Sequence, residues 1–362
     1  MHSQPSARSE RVTVVGTGSW GTTLAILAAR RGMTTYLLAR TEEEAATLRA
    51  DGENRRFMPG YPFPPNLIVT ADAHRALERC DMLLMVVPSQ TMRANTRNIR
   101  PHLTDPQTII VSCAKGLEVD TLSRMTEVLA EELGEPWKAR LAAMSGPNLA
   151  REIVAGLPAT TVIASDVMEV AQKAQSLLTG GRFRVYTNPD VTGVELAGAL
   201  KNIIAIAAGM ADGMKAGDSS KAALVTRGLA EIARLGMAAG ASLFTFAGLA
   251  GLGDLIATCA SPLSRNRFLG QELARGKTID EVVAGMNGQV AEGVSTTQAA
   301  LRLAARHNIE MPITEQLYQV LFEGKSPLDA LNALLMREPT DEFLSLGVQP
   351  DARVESLGST PA

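Results

Sequence analysis

Cysteine is scarce in this chain. Cys80, Cys113 and Cys259 are the only three in 362 residues. They lie far apart, are odd in number and show no C-x-x-C spacing, which argues against a disulfide framework and against a zinc site and points to a reducing compartment. Histidine is equally thin. His2, His74, His102 and His307 form no pair at helical spacing, so no metal centre is expected. Charge of one sign is not in excess: the net charge of −3 argues against nucleic acid or an anionic membrane as the main partner. Long apolar runs are missing too. A membrane span needs roughly 18 uninterrupted apolar residues. The nearest stretch, residues 194–211, is broken by Glu195, Lys201 and Asn202 and reads as a buried helix, so no stable membrane insertion is expected. The first ten residues hold Pro, Ser, Arg and Glu without an apolar core, which argues against a signal peptide. A cytoplasmic protein is the expectation.

What is present is an ordinary globular balance, 46% apolar and 20% charged, in a length that suits roughly two domains. Strand-like runs recur at 12–15, 34–38, 67–69, 82–87, 108–111, 141–144, 161–164 and 183–186. Helical patterns at 42–50, 71–78 and 122–133 separate several of them. This alternation predicts an α/β, Rossmann-like, parallel and doubly wound sheet. Past residue 190 the strand-like runs stop, and helical patterns follow at 193–210, 221–239, 265–274, 295–307, 314–322 and 328–335. The expected organisation is a short disordered extension (1–10), a dinucleotide-binding domain (11–189), a separate all-α C-terminal domain for substrate and catalysis (190–344) and a disordered polar tail (345–362).

The most specific local signal opens the chain. A β-branched run at 12–15 leads into Gly16-Thr17-Gly18-Ser19-Trp20-Gly21, an apolar helical pattern from Leu24 and a second strand at 34–38. A glycine elbow between strand and helix holds a dinucleotide: Gly16 makes the turn, Gly18 lets backbone approach a pyrophosphate, and Gly21 lets helix and strand pack closely. The pyrophosphate would lie at the positive end of the helix dipole. At the end of the second strand stands Arg40, where NAD-binding members of the fold usually carry an acidic residue for the ribose hydroxyls. Arginine suits a 2′-phosphate, so NADP is the preferred cofactor and NAD the alternative.

Ligands in such sheets bind outside the carboxyl ends of the strands. Lys115, after the strand at 108–111, stands there. Lys201 lies in Gly198-Ala199-Leu200-Lys201-Asn202, a helix too apolar to be one exposed face. Its ammonium either snorkels to water or is held in a cleft, where desolvation would lower its proton affinity and make it a usable acid or base. Ser264 caps a predicted helix that starts with Arg265 and Asn266, and backbone N–H groups, Arg265 and Asn266 facing one point would hold a phosphate. By themselves, Gly251-Leu252-Gly253-Asp254 reads as a glycine-rich turn and residues 289–293 as a polar loop.

Taken in order, these segments resemble the bacterial-type NAD(P)-dependent glycerol-3-phosphate dehydrogenases from Val12 to about Leu335. Val87-Pro88-Ser89, Lys115-Gly116-Leu117-Glu118, Ser145-Gly146-Pro147, Thr226-Arg227-Gly228-Leu229-Ala230-Glu231 and Met311-Pro312-Ile313-Thr314 belong to the same set. The resemblance implies reversible hydride transfer between NAD(P)H and dihydroxyacetone phosphate, giving sn-glycerol 3-phosphate for phospholipid synthesis. It implies Lys201 as proton donor and acceptor; Lys115 is expected to assist by stabilising the developing negative charge. It assigns substrate contacts to Lys115, Gly146, Asn148, Lys201, Asp254, Ser264, Arg265 and Asn266. Cofactor contacts fall to Ser19, Trp20, Arg40, Lys115, Ala150, Arg265, Val290 and Glu292, beside the elbow glycines. A homodimer is compatible with the reading. The departures are Ala114, Ala291 and Asn148, the last standing where Ser or Thr is frequent. Two other readings stay open: a dehydrogenase of the same build acting on 6-phosphogluconate or a 3-hydroxy acid, and a non-catalytic NAD(P)-binding module.

Overall fold

The computed structural model describes residues 9–286 and 288–338; the expected tail at 345–362 and all but the last two residues of the expected N-terminal extension lie outside the described residues. Strands β1 (Arg11–Val15), β2 (Thr34–Leu38), β5 (Leu67–Thr70), β6 (Met82–Met85), β7 (Ile109–Ser112), β8 (Leu141–Ser145), β9 (Ala159–Ala164) and β10 (Phe183–Asn188) form one sheet in the order β10-β9-β8-β7-β6-β1-β2-β5. A small hairpin, β3 (Glu53–Asn54) with β4 (Met58–Pro62), stands apart. Around the sheet lie α1 (Ser19–Arg30), α2 (Glu42–Asp51), α3 (Ala73–Leu77), α4 (Met92–Ile99), α5 (Met125–Leu133), α6 (Glu135–Lys138), α7 (Ala150–Val154) and α8 (Met168–Leu178).

The central strands are buried on both faces, which is why they read as continuous apolar runs. Val12, Val14, Leu37, Met82, Leu84 and Val111 pack on one side. Val15, Tyr36, Leu38, Leu83, Met85 and Ile110 pack on the other. The sheet corrects one expectation, because it is not parallel throughout: β9 runs antiparallel to β8, and β10 runs parallel to β9. The connection from β8 to β9 contains only α7. Five residues of helix rise about 7 Å, too little to carry the chain back along the sheet, so it returns reversed. The longer α8 then restores a parallel crossover between β9 and β10.

Several helix starts also differ from the periodicity, and capping chemistry explains them. The first helix starts at Ser19, with Gly18 as its cap, rather than at Leu24. The third begins after Asp72, whose carboxylate accepts the Arg75 N–H (3.1 Å). Residues 122–124 stay out of α5, because Leu122 adopts a left-handed φ of 67°.

From Val191 onward the described residues form helices: α9 (Val191–Gly213), α10 (Asp218–Ala238), α11 (Leu243–Ala247), α12 (Asp254–Ala260), α13 (Arg265–Ala274), α14 (Ile279–Gly285), α15 (Glu292–His307), α16 (Pro312–Phe322) and α17 (Pro327–Leu335). Helix α9 is the axis of this layer. It touches α10, α12, α13 and α15, as well as β8. It is long and apolar enough to cross a membrane, but 94% of its most apolar window is buried inside the protein. One close approach seats it on the sheet. A Cβ on Gly198 would lie 2.4 Å from the Ser145 hydroxyl at the end of β8. Glycine is therefore what lets α9 bring Lys201 to the sheet's carboxyl edge.

Candidate active site

The elbow has the form its glycines predict. Gly16 has φ of 112°, and a Cβ there would meet the Val86 carbonyl oxygen at 2.5 Å. A Cβ on Gly21 would meet the Gly16 carbonyl oxygen at 1.9 Å. Around Gly18 a Cβ would find nothing within 4 Å, so open space lies above the α1 N-terminus. The first turn of α1 carries no acidic residue, which leaves its positive end uncontested. Ser19 and Trp20 are the first two residues of that helix. Ser19 donates to the Phe57 carbonyl (3.5 Å), and Trp20 meets Phe183 edge-on at 6.4 Å. Asn54, from the small hairpin, donates to the Thr17 carbonyl (2.7 Å) and so braces the elbow from outside.

At the carboxyl edge, four expected residues come together. Asp254 is buried and sits between two lysines. Lys115 donates to its Oδ2 (2.6 Å) and to the Gly146 carbonyl (2.9 Å). Lys201 donates to its Oδ1 and to the Thr258 hydroxyl. The Lys201 side chain is 5% exposed and that of Lys115 18%, so the cluster opens toward solvent on the Lys115 side. The sequence left open whether Lys201 snorkels or is held; it is held. Burial lowers its pKa to about 8, Asp254 opposes that fall, and the charge on Lys115 adds to it. Each ammonium has three donors. Two are placed on each lysine, which leaves one apiece for a ligand oxygen.

The segment around Asp254 is not the simple turn read from its glycines. Leu249–Gly253 forms a π-helical turn in which the Gly253 N–H reaches the Gly248 carbonyl (3.1 Å), and α12 continues from Asp254. Wide turns of this kind re-aim the residue that follows. Here that residue is the shared carboxylate.

The start of α13 is divided. Ser264 caps it, accepting from the Arg267 N–H (3.2 Å). Arg265 is exposed, with no hydrogen-bond partner among the described residues and Glu292 as its charged neighbour. Asn266 turns inward instead. It donates to the Asn202 side chain (2.9 Å) and accepts from the Gly293 N–H (3.0 Å). Arg265 and Asn266 therefore do not face one point, because successive helical residues stand about 100° apart. Asn202 in turn donates to the Lys115 carbonyl (3.3 Å), so the inward pair braces the lysine loop.

The remaining expected residues are dispersed. Asn148 is occupied at β9, donating to the Thr160 carbonyl (3.0 Å) and accepting from the Thr161 hydroxyl (2.9 Å). The Ala150 carbonyl accepts from the Thr23 hydroxyl (3.3 Å) at the start of α7. Val290 is exposed in the loop before α15. Glu292, the first residue of α15, accepts from the Ser89 N–H (3.0 Å) and hydroxyl (2.5 Å). That bridge ties the helical layer to the loop after β6. Arg40 stands exposed at the end of β2.

Sequence reasoning missed Thr258, Asn202 and Glu44. The first lies one turn from Asp254 on α12, and the second adjoins Lys201, so both were within reach of a spacing argument. Glu44 also had a signal, the spacing Thr41-x-x-Glu44 that marks a capping box.

A glycine elbow above an open helix N-terminus, with a buried lysine of lowered pKa on the same sheet edge, fits a dinucleotide-dependent dehydrogenase. Residues 11–171 match the family model of the NAD-dependent glycerol-3-phosphate dehydrogenase N-terminus, and residues 190–332 match that of its C-terminus. A glycerol-3-phosphate dehydrogenase [NAD(P)+] of Dehalococcoides mccartyi is 48% identical over 334 residues, 92% of each chain. One from Moorella thermoacetica is 48% identical over 336 residues, covering 93% of this chain and 98% of its own. The crystal structure of a glycerol-3-phosphate dehydrogenase from Coxiella burnetii superposes with a TM-score of 0.86 at 40% identity, covering 91% of this chain and 99% of that one. The chain belongs to the NAD-dependent glycerol-3-phosphate dehydrogenase family.

Proposed function

We propose that this chain interconverts dihydroxyacetone phosphate and sn-glycerol 3-phosphate, with Lys201 as the proton donor in reduction and the acceptor in oxidation. As a member of its family it is an NAD(P)-dependent oxidoreductase acting on a CH–OH group. The observation that carries the lysine's role is its burial against Asp254 and Thr258 with a pKa of about 8. Such a group is mostly protonated at neutral pH yet gives up its proton easily.

The elbow residues Gly16, Gly18 and Gly21, with Ser19 and Trp20, are proposed to hold the dinucleotide; the open cradle at Gly18 fits a pyrophosphate. Arg40, Lys115, Ala150, Arg265, Val290 and Glu292 complete the proposed cofactor contacts. When bound, the nicotinamide supplies or accepts the hydride. Lys201 delivers its proton to the C2 oxygen of the ketone as that oxygen becomes an alkoxide. Lys115 stabilises the developing charge, and Asp254 keeps both ammonium groups aimed. In oxidation neutral Lys201 takes the hydroxyl proton.

Arg265 and the N-terminus of α13, whose first turn has no acidic residue, are proposed to anchor the substrate phosphate. Gly146 belongs to the same substrate contacts. Asn266 and Asn148 are proposed to act there through the elements they brace. The reading divides the chain near residue 190 and places the enzyme in the cytoplasm, supplying glycerol 3-phosphate for phospholipid synthesis. A homodimer is compatible with it. Following NADPH and NADH oxidation on addition of dihydroxyacetone phosphate tests the activity. Absence of oxidation with both would refute it, and an unchanged Michaelis constant in Arg265→Ala would refute the phosphate assignment.

A further inference from the structure

The end of β2 and the middle of the glycine elbow meet at one side chain, Glu44. Its carboxylate accepts from the Thr17 hydroxyl and from the Arg40 N–H (3.0 Å). Thr17 lies between Gly16 and Gly18, and Arg40 is where the ribose 2′-substituent of a bound dinucleotide is recognised in this fold. Glu44 is half-buried and is held in place, since its own N–H donates to the Thr41 hydroxyl (3.2 Å) at the cap of α2. Glu42 and Glu43 share that first turn, and Glu42 pairs with Arg49. The Arg40 guanidinium is exposed and has no hydrogen-bond partner among the described residues.

Thr17 O–H and Arg40 N–H are the kind of donors a 2′-phosphate would use, and a carboxylate already holds both. The Arg40 guanidinium attracts a 2′-phosphate to the same corner. We propose that Glu44 is a specificity-determining residue, opposing the 2′-phosphate of NADP and offsetting Arg40, so that the site accepts NAD and NADP alike. A ribose 2′-hydroxyl can donate to the carboxylate, whereas a phosphate dianion meets like charge and finds its donors occupied. A purely structural bridge between the elbow and the end of β2 would also place a glutamate here, and the two roles differ in what they do to ligand choice. The inference rests on the reading of the elbow as the dinucleotide site.

Calorimetric titration of the full chain with adenosine 2′,5′-bisphosphate and with 5′-AMP separates them without turnover. In Glu44→Ala the bisphosphate should gain about tenfold in affinity over 5′-AMP, the size of one like-charge contact at partial exposure. Glu44→Gln, which keeps an acceptor and loses the charge, should show part of the gain. Adding Arg40→Ala to Glu44→Ala should abolish it. The ratio of kcat/KM for NADPH over NADH should rise in parallel. A preference unchanged within about twofold, or shifted toward 5′-AMP, would overturn the inference and leave Glu44 a structural bridge only. If the wild-type protein bound neither nucleotide, or if Gly18→Val left 5′-AMP binding unaltered, the elbow reading itself would fail and take this inference with it.

Discussion

Lys201 carries the account at the scale of single residues. Its neighbours set its proton affinity in opposite directions: burial and Lys115 lower it, and Asp254 raises it. The balance near pH 8 makes the two reaction directions respond oppositely to pH. With Lys201 as the proposed proton donor, reduction requires the ammonium, so its kcat/KM should fall as pH rises past about 8, while oxidation should rise through the same range. Asp254→Asn removes the raising partner and leaves two like charges face to face. Its pH limb should therefore move to lower pH, and a profile at the wild-type position would contradict the shared-carboxylate geometry. At this scale the sequence was legible where a residue breaks its context. Lysine in an apolar helix stands out, as does arginine at the end of a second strand. Thr258 and Asn202 stand out less: their spacing from Asp254 and Lys201 is visible in the sequence, but it gains meaning only once the facing element is known.

Elements are held by buried carboxylates that cap helices from a distance. Glu231 on α10 accepts from the Ile313 N–H (2.9 Å), the Thr314 N–H (2.9 Å) and the Thr314 hydroxyl (2.7 Å) at the start of α16. Glu195 on α9 does the same at α5, accepting from the Thr126 N–H (2.9 Å) and hydroxyl and pairing with Arg124 (2.8 Å). Removing such a group strands buried donors. Glu231→Ala should cost about 3 kcal/mol in urea unfolding, with Glu231→Gln costing less; a loss within about 0.5 kcal/mol would show the cap to be dispensable. The motifs at 226–231 and 311–314 thus form one structural device, although they are some 80 residues apart. Element existence was legible from periodicity. Element starts at 19, 73 and 125 were not, because caps and a left-handed Leu122 set them. The π turn before Asp254 was hidden as well, since its glycines suit an ordinary turn equally.

The whole molecule is a sheet edge onto which a helical layer is pressed, with the proposed chemistry at the seam. Gly198 on Ser145 and Glu292 on Ser89 are two of the contacts that close it. Gly198→Ala should push α9 from β8 and separate Lys201 from Lys115. An ångström of misplacement costs about 10²-fold in rate, so activity should drop by that order, while the overpacking should cost about 1–3 kcal/mol in urea unfolding. Full activity would show that the seam tolerates a wider gap. Strand alternation made the sheet legible, and its crossovers made most of it parallel. The reversal at β9 was not legible, since it depends on how short a helix α7 turns out to be. The juxtaposition of Lys115, Lys201 and Asp254 was not legible from spacing either, because 139 residues separate Lys115 from Asp254.

The most direct test of the account is the pH dependence of dihydroxyacetone phosphate reduction in the wild type beside Lys201→Met. The account predicts a wild-type limb near pH 8. In the variant it predicts a loss of about 10²–10⁴-fold in kcat/KM and disappearance of that limb. Near-wild-type turnover in Lys201→Met, or the same limb surviving in it, would contradict the assignment of the proton to Lys201.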